Sequence, residues 1–421
     1  MSEIARSRVL IRALTEGNVM AASRSDTFMS CKTDVDSHEM LPMHLWGSAF
    51  GDVGELIAGL DMKRYGSAKR SKNSLLRPDI AGDDMAISYD SVWNHKGPDA
   101  PSAIDLTRRP KVMDEMGIER QLVFPSFALL GIMLMYIKDP HEFLGYDREK
   151  ADPLPTGREA CAAHNRWAAR ITKATNQRAR PVAVIIPETP DQMAQQAEYL
   201  LGEGIRAFML PAGTPPAGTS PADRSLDPFW SLLEKHNAPV TLHLGTEFAF
   251  LASRKWSANV PEFSAVQGSS VEFEAEPLQS ATLHFCMENF LTAMILGGVL
   301  ERHPNLRVGI IEACAHWVGP LAERLDMWAG QFSKRLSKTL SMPPSQYIAR
   351  NIRATPFSFE PIDRYLKRYP ALADVYCFST DFPHVEGGQD AQRAFSEKLE
   401  AFEPSIREKF FRSNGMLLIP D

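Results

Sequence analysis

The chain lacks the features that mark several large classes of protein. No apolar run reaches the ~18 residues that a membrane-spanning helix needs. No stretch is rich in lysine and arginine, and 46 basic residues face 52 acidic ones, a formal net charge of −6. That balance argues against a general nucleic-acid binder. Cysteine is scarce: the five residues Cys31, Cys161, Cys286, Cys314 and Cys377 are odd in number and too scattered for a disulfide framework. Free thiols in a reducing cytoplasm fit better. The first 32 residues carry charges throughout and lack the apolar region of a signal peptide. There is no internal repeat, no low-complexity tract, and no Gly-x-Gly-x-x-Gly after the first predicted strand to support a dinucleotide-binding open sheet.

The 421 residues, 44% hydrophobic and 23% charged, have an ordinary globular composition. They suffice for one large barrel or for two domains. A short apolar run followed by a helical pattern recurs along the chain. Predicted strands are Lys32–Ser37, Gln121–Pro125, Pro181–Pro187, Gly204–Pro211, Pro239–His243, Leu306–Glu312, Asn351–Thr355 and Val375–Thr380. Predicted helices include Arg158–Gln177, Pro228–His236, Asn289–Glu301, one beginning at His316, and the closing pair Gln392–Phe402 and Ile406–Phe411. Strands alternating with helices imply parallel pairing through right-handed crossovers, and eight such units favour a closed (β/α)8 TIM barrel, an α/β fold, over a doubly wound sheet. Residues 1–32 read as an N-terminal extension, with Ile4–Leu14 either a short amphipathic helix or part of a disordered leader. Residues 33–421 read as the barrel. Two stretches without periodicity, 47–105 and 246–280, read as long loop insertions, the first a candidate lid.

The chemistry sits at the strand exits. Asp36 and His38 follow the first strand, His243 ends the fifth, Glu312 and His316 follow the sixth, and Asp381 and His384 follow the eighth. In a barrel these exits share one face, so groups far apart in sequence converge. Each has a plainer reading: a buried core histidine, a helix-start carboxylate, a strand-to-loop turn capped by aspartate. Together, against a background of Val, Ile and Leu, they point to a divalent cation, because burying so many ionisable groups without compensation is very costly. Asp36 and His38, two apart, share one face of a regular strand and are able to grip one ion. The donor set Asp36, His38, His243, Glu312, His316 and Asp381 is mixed nitrogen and oxygen with no thiolate, which suits Mn, Fe or Zn. It exceeds what one tetrahedral ion needs, so two ions are expected. Cys314 and Cys377 lack the paired spacing of a zinc thiolate site and read as packing residues.

These segments resemble a family. Asp34-Val-Asp-Ser-His-Glu39 with Pro42 and Trp46, Gly297-Gly-Val-Leu-Glu-Arg-His-Pro304 with Leu306-Arg307, Glu312 with Trp317 and Pro320, and Ser379-Thr-Asp-Phe-Pro-His384 are similar to signature segments of the amidohydrolase-related ("amidohydrolase 2") branch of the amidohydrolase superfamily. The resemblance spans roughly residues 33–415 and implies a metal-dependent (β/α)8 barrel. It matches Asp36 and His38 to the His-x-His pair after the first strand, His243 to the fifth-strand ligand, and Asp381 to the eighth-strand aspartate, a ligand or general base. The chain departs from the pattern in two places. Its fourth strand offers Arg206, Phe208 and Met209 and no lysine for a bridging carbamate, and its sixth has Glu312 where decarboxylase members carry a catalytic histidine. These departures resemble the few long members that act as dinuclear Fe or Fe/Mn oxygenases.

Three functional expectations follow. The favoured one is a dinuclear non-haem monooxygenase that hydroxylates a small organic substrate, with Asp381, Glu312 and His316 as catalytic groups. The alternative is a metal-dependent hydrolase or decarboxylase using metal-bound water on a small amide, ester or carboxylate, with Zn as the ion if it is a hydrolase. The third is a barrel that has lost turnover and serves as a structural subunit beside an active paralogue. His384, His284, Arg353 and Trp317 are candidates for substrate contact or for orienting the ligands; for Arg353 a structural salt bridge is the competing reading. Phe127, Trp46 and Phe248 are candidate walls of an apolar pocket, unless they simply pack. The partner is a small molecule, with no nucleic acid or membrane, in a cytoplasmic homo- or hetero-oligomer.

Overall fold

Alternation along short apolar strands sets the architecture. In the computed structural model of the chain, which describes residues 32–60, 75, 77–140, 149, 151–247, 250, 256–257, 259–264 and 277–420, the strands are β1 (Lys32–Asp34), β2 (Ile118–Val123), β3 (Ala179–Pro181), β4 (Ala183–Val184), β5 (Phe208–Met209), β6 (Val240–His243), β7 (Val308–Ile311) and β8 (Ile352–Ala354). They pair in parallel in the orders β1-β2-β3 and β4-β5-β6-β7-β8. β3 and β4 are halves of one passage, joined at Val182, whose N–H donates to Val123 O at 2.9 Å. Residues 375–382 supply the last stave. They bridge to β8 at Ala354 and Tyr376, and back to the first strand's exit at Ser37 and Phe382. The ring is a (β/α)8 barrel.

The last stave carries no continuous ladder, in contrast to the predicted strand Val375–Thr380. The reason is local: the Asp34 carboxylate accepts the Thr380 backbone N–H at 2.9 Å and the Thr380 hydroxyl at 2.6 Å. A side chain thereby takes a donor that a neighbouring carbonyl would have used.

The two-residue period sorts the core into two layers. Val35, Leu122, Phe124, Val182, Val184, Ala207, Met209, Ile311 and Cys377 form an inner cluster with Leu418 and Ile419. Their strand neighbours Val123, Ala183, Ile185, Phe208 and Leu210 join the outer cluster between staves and helices. The helices of that outer layer include α1 (Phe127–Tyr136), α2 (Pro153–Ala174), α3 (Val318–Gln331) and α4 (Ala391–Leu399). α1 was not expected from periodicity. It is apolar on all sides, so it reads as neither helix nor strand, and it is buried against α2. The two helices cross at a glycine pair: a Cβ on Gly157 would lie 2.5 Å from Gly131 O, and one on Gly131 would lie 2.9 Å from Gly157 O. α2 starts five residues earlier than predicted, because Pro153 sits at its first position and the Asp152 carboxylate accepts the Leu154 N–H at 3.1 Å.

Insertion 47–105 holds the short helices Asp52–Ala58 and Tyr89–Asn94, and it is tied to the last stave by Gly97 N–H donating to Pro383 O at 2.7 Å. Trp46 and Phe127 pack against each other with ring centroids 5.1 Å apart, and Phe50 stacks on Phe127 at 4.0 Å, so these aromatics are core rather than pocket wall. Phe248 and the Ile4–Leu14 segment lie outside the described residues. No helix among the described residues is long and apolar enough to cross a membrane.

The C-terminal tail closes the barrel end opposite the strand exits. Leu418 and Ile419 enter the inner core, and strand arginines hold the tail's carbonyls: Arg307 on Leu417, Arg120 on Ile419, Arg180 on Pro420, Arg353 on Asn414. Arg353 also donates to Ile352 O at 2.7 Å and Ala349 O at 3.2 Å. This corrects the expectation that Arg353 faces substrate. It is the middle residue of β8, and its guanidinium reaches back to satisfy carbonyls at the closed end. Arg353→Met leaves those acceptors without their donor, so it is expected to lower unfolding stability by about 1–3 kcal/mol in a denaturant titration. Metal content should stay that of the wild type; a large loss of bound metal would place Arg353 at the centre after all.

Candidate metal centre

At the open end, side chains from four stave exits meet. Asp36 and His38 lie just past β1, and His38 Nε2 is 3.4 Å from Asp36 Oδ1. His243 ends β6; its Nε2 is 3.6 Å from Asp36 Oδ1 and 3.5 Å from Glu312 Oε2. Asp381 Oδ1 is 3.3 Å from His38 Nε2 and 3.0 Å from His384 Nδ1. Glu312 Oε2 is 4.0 Å from His38 Nε2, and Glu312 Oε1 is 4.0 Å from His384 Nδ1. All six side chains are buried. Two overlapping sets result, Asp36-His38-His243-Glu312 and His38-Glu312-Asp381-His384, and in each the donor atoms lie within 4.8 Å of one another.

Local backbone delivers the carboxylates. Glu312 and Asp381 adopt left-handed φ values of 55° and 50°, which cost non-glycine residues of order 1–3 kcal/mol each. Two contacts hold these turns. The Glu312 N–H donates to Thr355 Oγ1 at 2.9 Å, and the Asp381 N–H to Asp36 O at 2.9 Å. Gly387 is the one residue that lets the following loop fold back over Asp381, since a Cβ there would lie 2.3 Å from Thr380 O. The His243 ring stacks on Phe124 at 4.3 Å and donates from Nδ1 to Leu244 O at 2.8 Å. That bond fixes the tautomer and leaves Nε2 as the lone-pair donor. His38 stacks on His384 at 3.7 Å.

The electrostatics describe a site short of positive charge. Burial alone would depress His38, yet contacts with Asp36 and Asp381 overcome it and lift the imidazole to about 10. Burial would raise Asp381, but His384 and His38 hold it well below the usual carboxylate range. His384 is raised by Asp381 and Glu386 against its own burial. Asp36 Oδ1, His38 Nε2, His243 Nε2 and both Asp381 oxygens are buried without a hydrogen-bond partner. Orphaned, convergent nitrogen and oxygen donors of this kind fit a divalent cation, which supplies the missing charge and the missing partners together. A narrow cleft leads to them, lined by Thr355, Phe357, Ser358, Ser379 and Gly387 among others.

A second layer escaped the sequence reading. Asp34 lies behind the centre, held by Thr380 and by Gln121 Nε2 at 2.6 Å, and burial raises it to about 7. Arg109, fully buried, donates to Gln121 Oε1 at 3.0 Å, His38 O at 2.7 Å and Ser102 O at 2.9 Å, and faces the Phe382 ring at 5.1 Å. It fixes the backbone that carries His38. The Asp-x-Asp-x-His spacing was the available signal for Asp34, since alternate residues share a face. Nothing local marks Arg109 or Gln121.

His316 does not join the centre, which corrects its expected pairing with Glu312. The pairing relied on the strand-to-helix turn with a helix beginning at His316, but Glu312 and Cys314 are both left-handed, with φ 55° and 56°, and α3 begins only at Val318. The chain turns His316 toward Cys314 and Glu360 instead, with its side chain 47% exposed. His284 packs edge-on against His316 at 4.8 Å and parallel to Trp317 at 6.0 Å, and its Nε2 is 3.3 Å from Glu288 Oε1. Trp317 is buried and donates to Ala313 O and Cys314 O, each at 3.0 Å. Both shape the turn beside Glu312.

Comparisons with known proteins agree with this architecture. The sequence matches the family described as Amidohydrolase (Amidohydro_2) over residues 134–416. No curated protein matches it. Among solved structures, an amidohydrolase from Mycobacterium avium subsp. paratuberculosis is similar at 19% identity and TM-score 0.63, over 92% of this chain and 98% of that one. The 5-carboxyvanillate decarboxylase of Novosphingobium aromaticivorans, solved with manganese and 3-methoxy-4-hydroxy-5-nitrobenzoic acid, is similar at 15% identity and TM-score 0.57, over 93% and 98%. The 2,6-dihydroxybenzoate decarboxylase of Rhizobium is similar at 17% identity and TM-score 0.54, over 93% and 99%. With a family match across most of its length and a barrel of the same fold, the chain belongs to the amidohydrolase family Amidohydro_2.

Proposed function

We propose that this protein is a divalent-metal carboxy-lyase that releases CO2 from a small aromatic carboxylate. The observation that carries the reading is the buried, orphaned nitrogen and oxygen donor set at the open end of the barrel. Asp36, His38, His243 and Glu312 would hold the ion, with Asp381 and His384 beside it. When bound, the ion supplies Lewis-acid polarisation of a substrate oxygen. The chain supplies the proton. His384, whose proton affinity Asp381 and Glu386 raise, carries that proton, with its Nδ1 3.0 Å from Asp381 Oδ1. As the bond between ring carbon and carboxyl carbon breaks, its electron pair stays on the ring carbon, CO2 leaves, and the His384 proton passes by way of the Asp381 carboxylate to that carbon. His384 takes up a proton again when the product leaves through the cleft. Burial keeps bulk water from these groups.

This reading moves away from the oxygenase expected from the sequence. Support for the carboxy-lyase comes from the decarboxylases among the similar structures; none of those described above is an oxygenase. One observation favours the hydroxylase reading: His38 and Glu312 belong to both donor sets, an arrangement able to hold two neighbouring ions. Carbon dioxide release from hydroxybenzoates, assayed under argon with manganese-loaded protein, separates the two. Turnover without dioxygen is expected. Product that forms only with dioxygen, consumed in equal amount, would establish the hydroxylase instead.

Two outcomes follow for the centre itself. Asp36→Asn and His243→Ala should each weaken metal binding by roughly 100-fold or more, beyond what losing a surrounding hydrogen-bond partner costs. Equilibrium dialysis with metal analysis reads this directly, and wild-type affinity in both variants would refute the donor set. Stripping the ion with a chelator should lower thermal stability, because an ion at 100 times its Kd contributes about 2.7 kcal/mol to the folded state. An unchanged melting temperature after confirmed metal removal would count against the buried centre as the binding site.

A further inference from the structure

The turn that carries Glu312 into the buried centre also presents a second set of donors on its other side. Cys314, His316 and Glu360 place one donor atom each within 4.8 Å of the others, and this set shares no residue with the buried centre. We propose that these three residues form a second, solvent-accessible cation site that takes a borderline divalent ion of the zinc type.

The donor chemistry selects the ion. One sulfur, one imidazole nitrogen and one carboxylate oxygen suit Zn2+ or Co2+ and disfavour Mg2+ and Ca2+, which prefer oxygen ligands. Three protein donors leave a fourth position for water. His316 Nδ1 stands 4.0 Å from Glu360 Oε2. Glu360 is buried and held in place: its carboxylate accepts the Phe357 N–H at 2.7 Å, and the Ala315 N–H and Tyr365 hydroxyl at 3.0 Å each. Ligating carboxylates are commonly oriented by such bonds. Cys314 is partly buried, and its Sγ lies within 4.8 Å of the other two donor atoms. The half-exposed His316 ring provides the route from solvent, with the His284 ring packed against it at 4.8 Å.

The consequence is mechanical. Glu360 ends the segment whose residues Thr355, Phe357 and Ser358 line the cleft, while Cys314 and His316 lie just past Glu312. An ion held by all three ties the cleft wall to the turn that positions Glu312. Spacing along the chain does not bring the three together: a cysteine, a histidine two residues on and a glutamate 44 residues beyond that match no recognisable ligand pattern.

Cobalt distinguishes this site from the buried centre, because only this one contains a thiolate. Full-length protein is stripped of metal and titrated with Co2+ while the near-ultraviolet thiolate-to-cobalt charge-transfer band is followed. The wild type should develop the band, and Asp36→Asn and His243→Ala should keep it. Cys314→Ser should abolish it, and His316→Ala, at an exposed position, should weaken the apparent affinity roughly tenfold or more. Melting curves of each variant confirm folding. No band in the wild type at saturating Co2+, a band that persists in Cys314→Ser, or one lost with the buried-centre variants would each overturn the proposal.

Discussion

Uncompensated negative charge in a buried space is the constraint on which this structure depends. Asp36, Glu312 and Asp381 stand together with three imidazoles at one mouth of the barrel, and their donor atoms lie too close to be left without a cation or protons between them. Carboxylates stripped of water repel one another strongly at such separations, and neither packing nor neutral hydrogen bonds remove that cost. Proton retention on His38 and His384 is one partial compensation, and it takes the form seen in their raised proton affinity. A divalent ion is the other. The same physics that makes the site expensive to fold makes it selective for a cation.

Much of the surrounding structure serves to hold that arrangement in place. The ring is closed beside the centre by side-chain bonds as well as backbone ones, with Asp34 gripping Thr380 across the seam. Arg109 braces the carbonyl of His38 from behind. The left-handed turns at Glu312 and Asp381 store strain that regular strands avoid, and Thr355 and the Asp36 carbonyl fasten them. At the opposite end the tail and its arginines plug the barrel. One end is built for stability, the other for chemistry, which is the division expected of a parallel barrel.

The two ends also explain where sequence reasoning succeeded and where it did not. Asp36, His38, His243, Glu312, Asp381 and His384 stood out because polar residues at the ends of apolar runs are conspicuous, and strand direction alone sends them to one face. Arg353 was misplaced because nothing in a three-residue strand shows which way along it a long side chain will reach. His316 was misplaced because the strand-to-helix turn was expected to bring it beside Glu312, and the two left-handed residues that redirect that turn have no signature in the chain. Helix Phe127–Tyr136 went unseen because an all-apolar segment has no periodicity to read.

The amino-acid order by itself determined the eight-fold alternation, the barrel class and the strand-exit residues, since these rest on local patterns of period two and on the handedness of crossovers. Only the tertiary structure decided which donors share a space, that Cys314, His316 and Glu360 form a group of their own, and that Asp34, Arg109 and Gln121 stand behind the centre. Most of those are contacts between residues tens to hundreds of positions apart. They depend on register, turn handedness and burial, none of which any single stretch of the chain encodes.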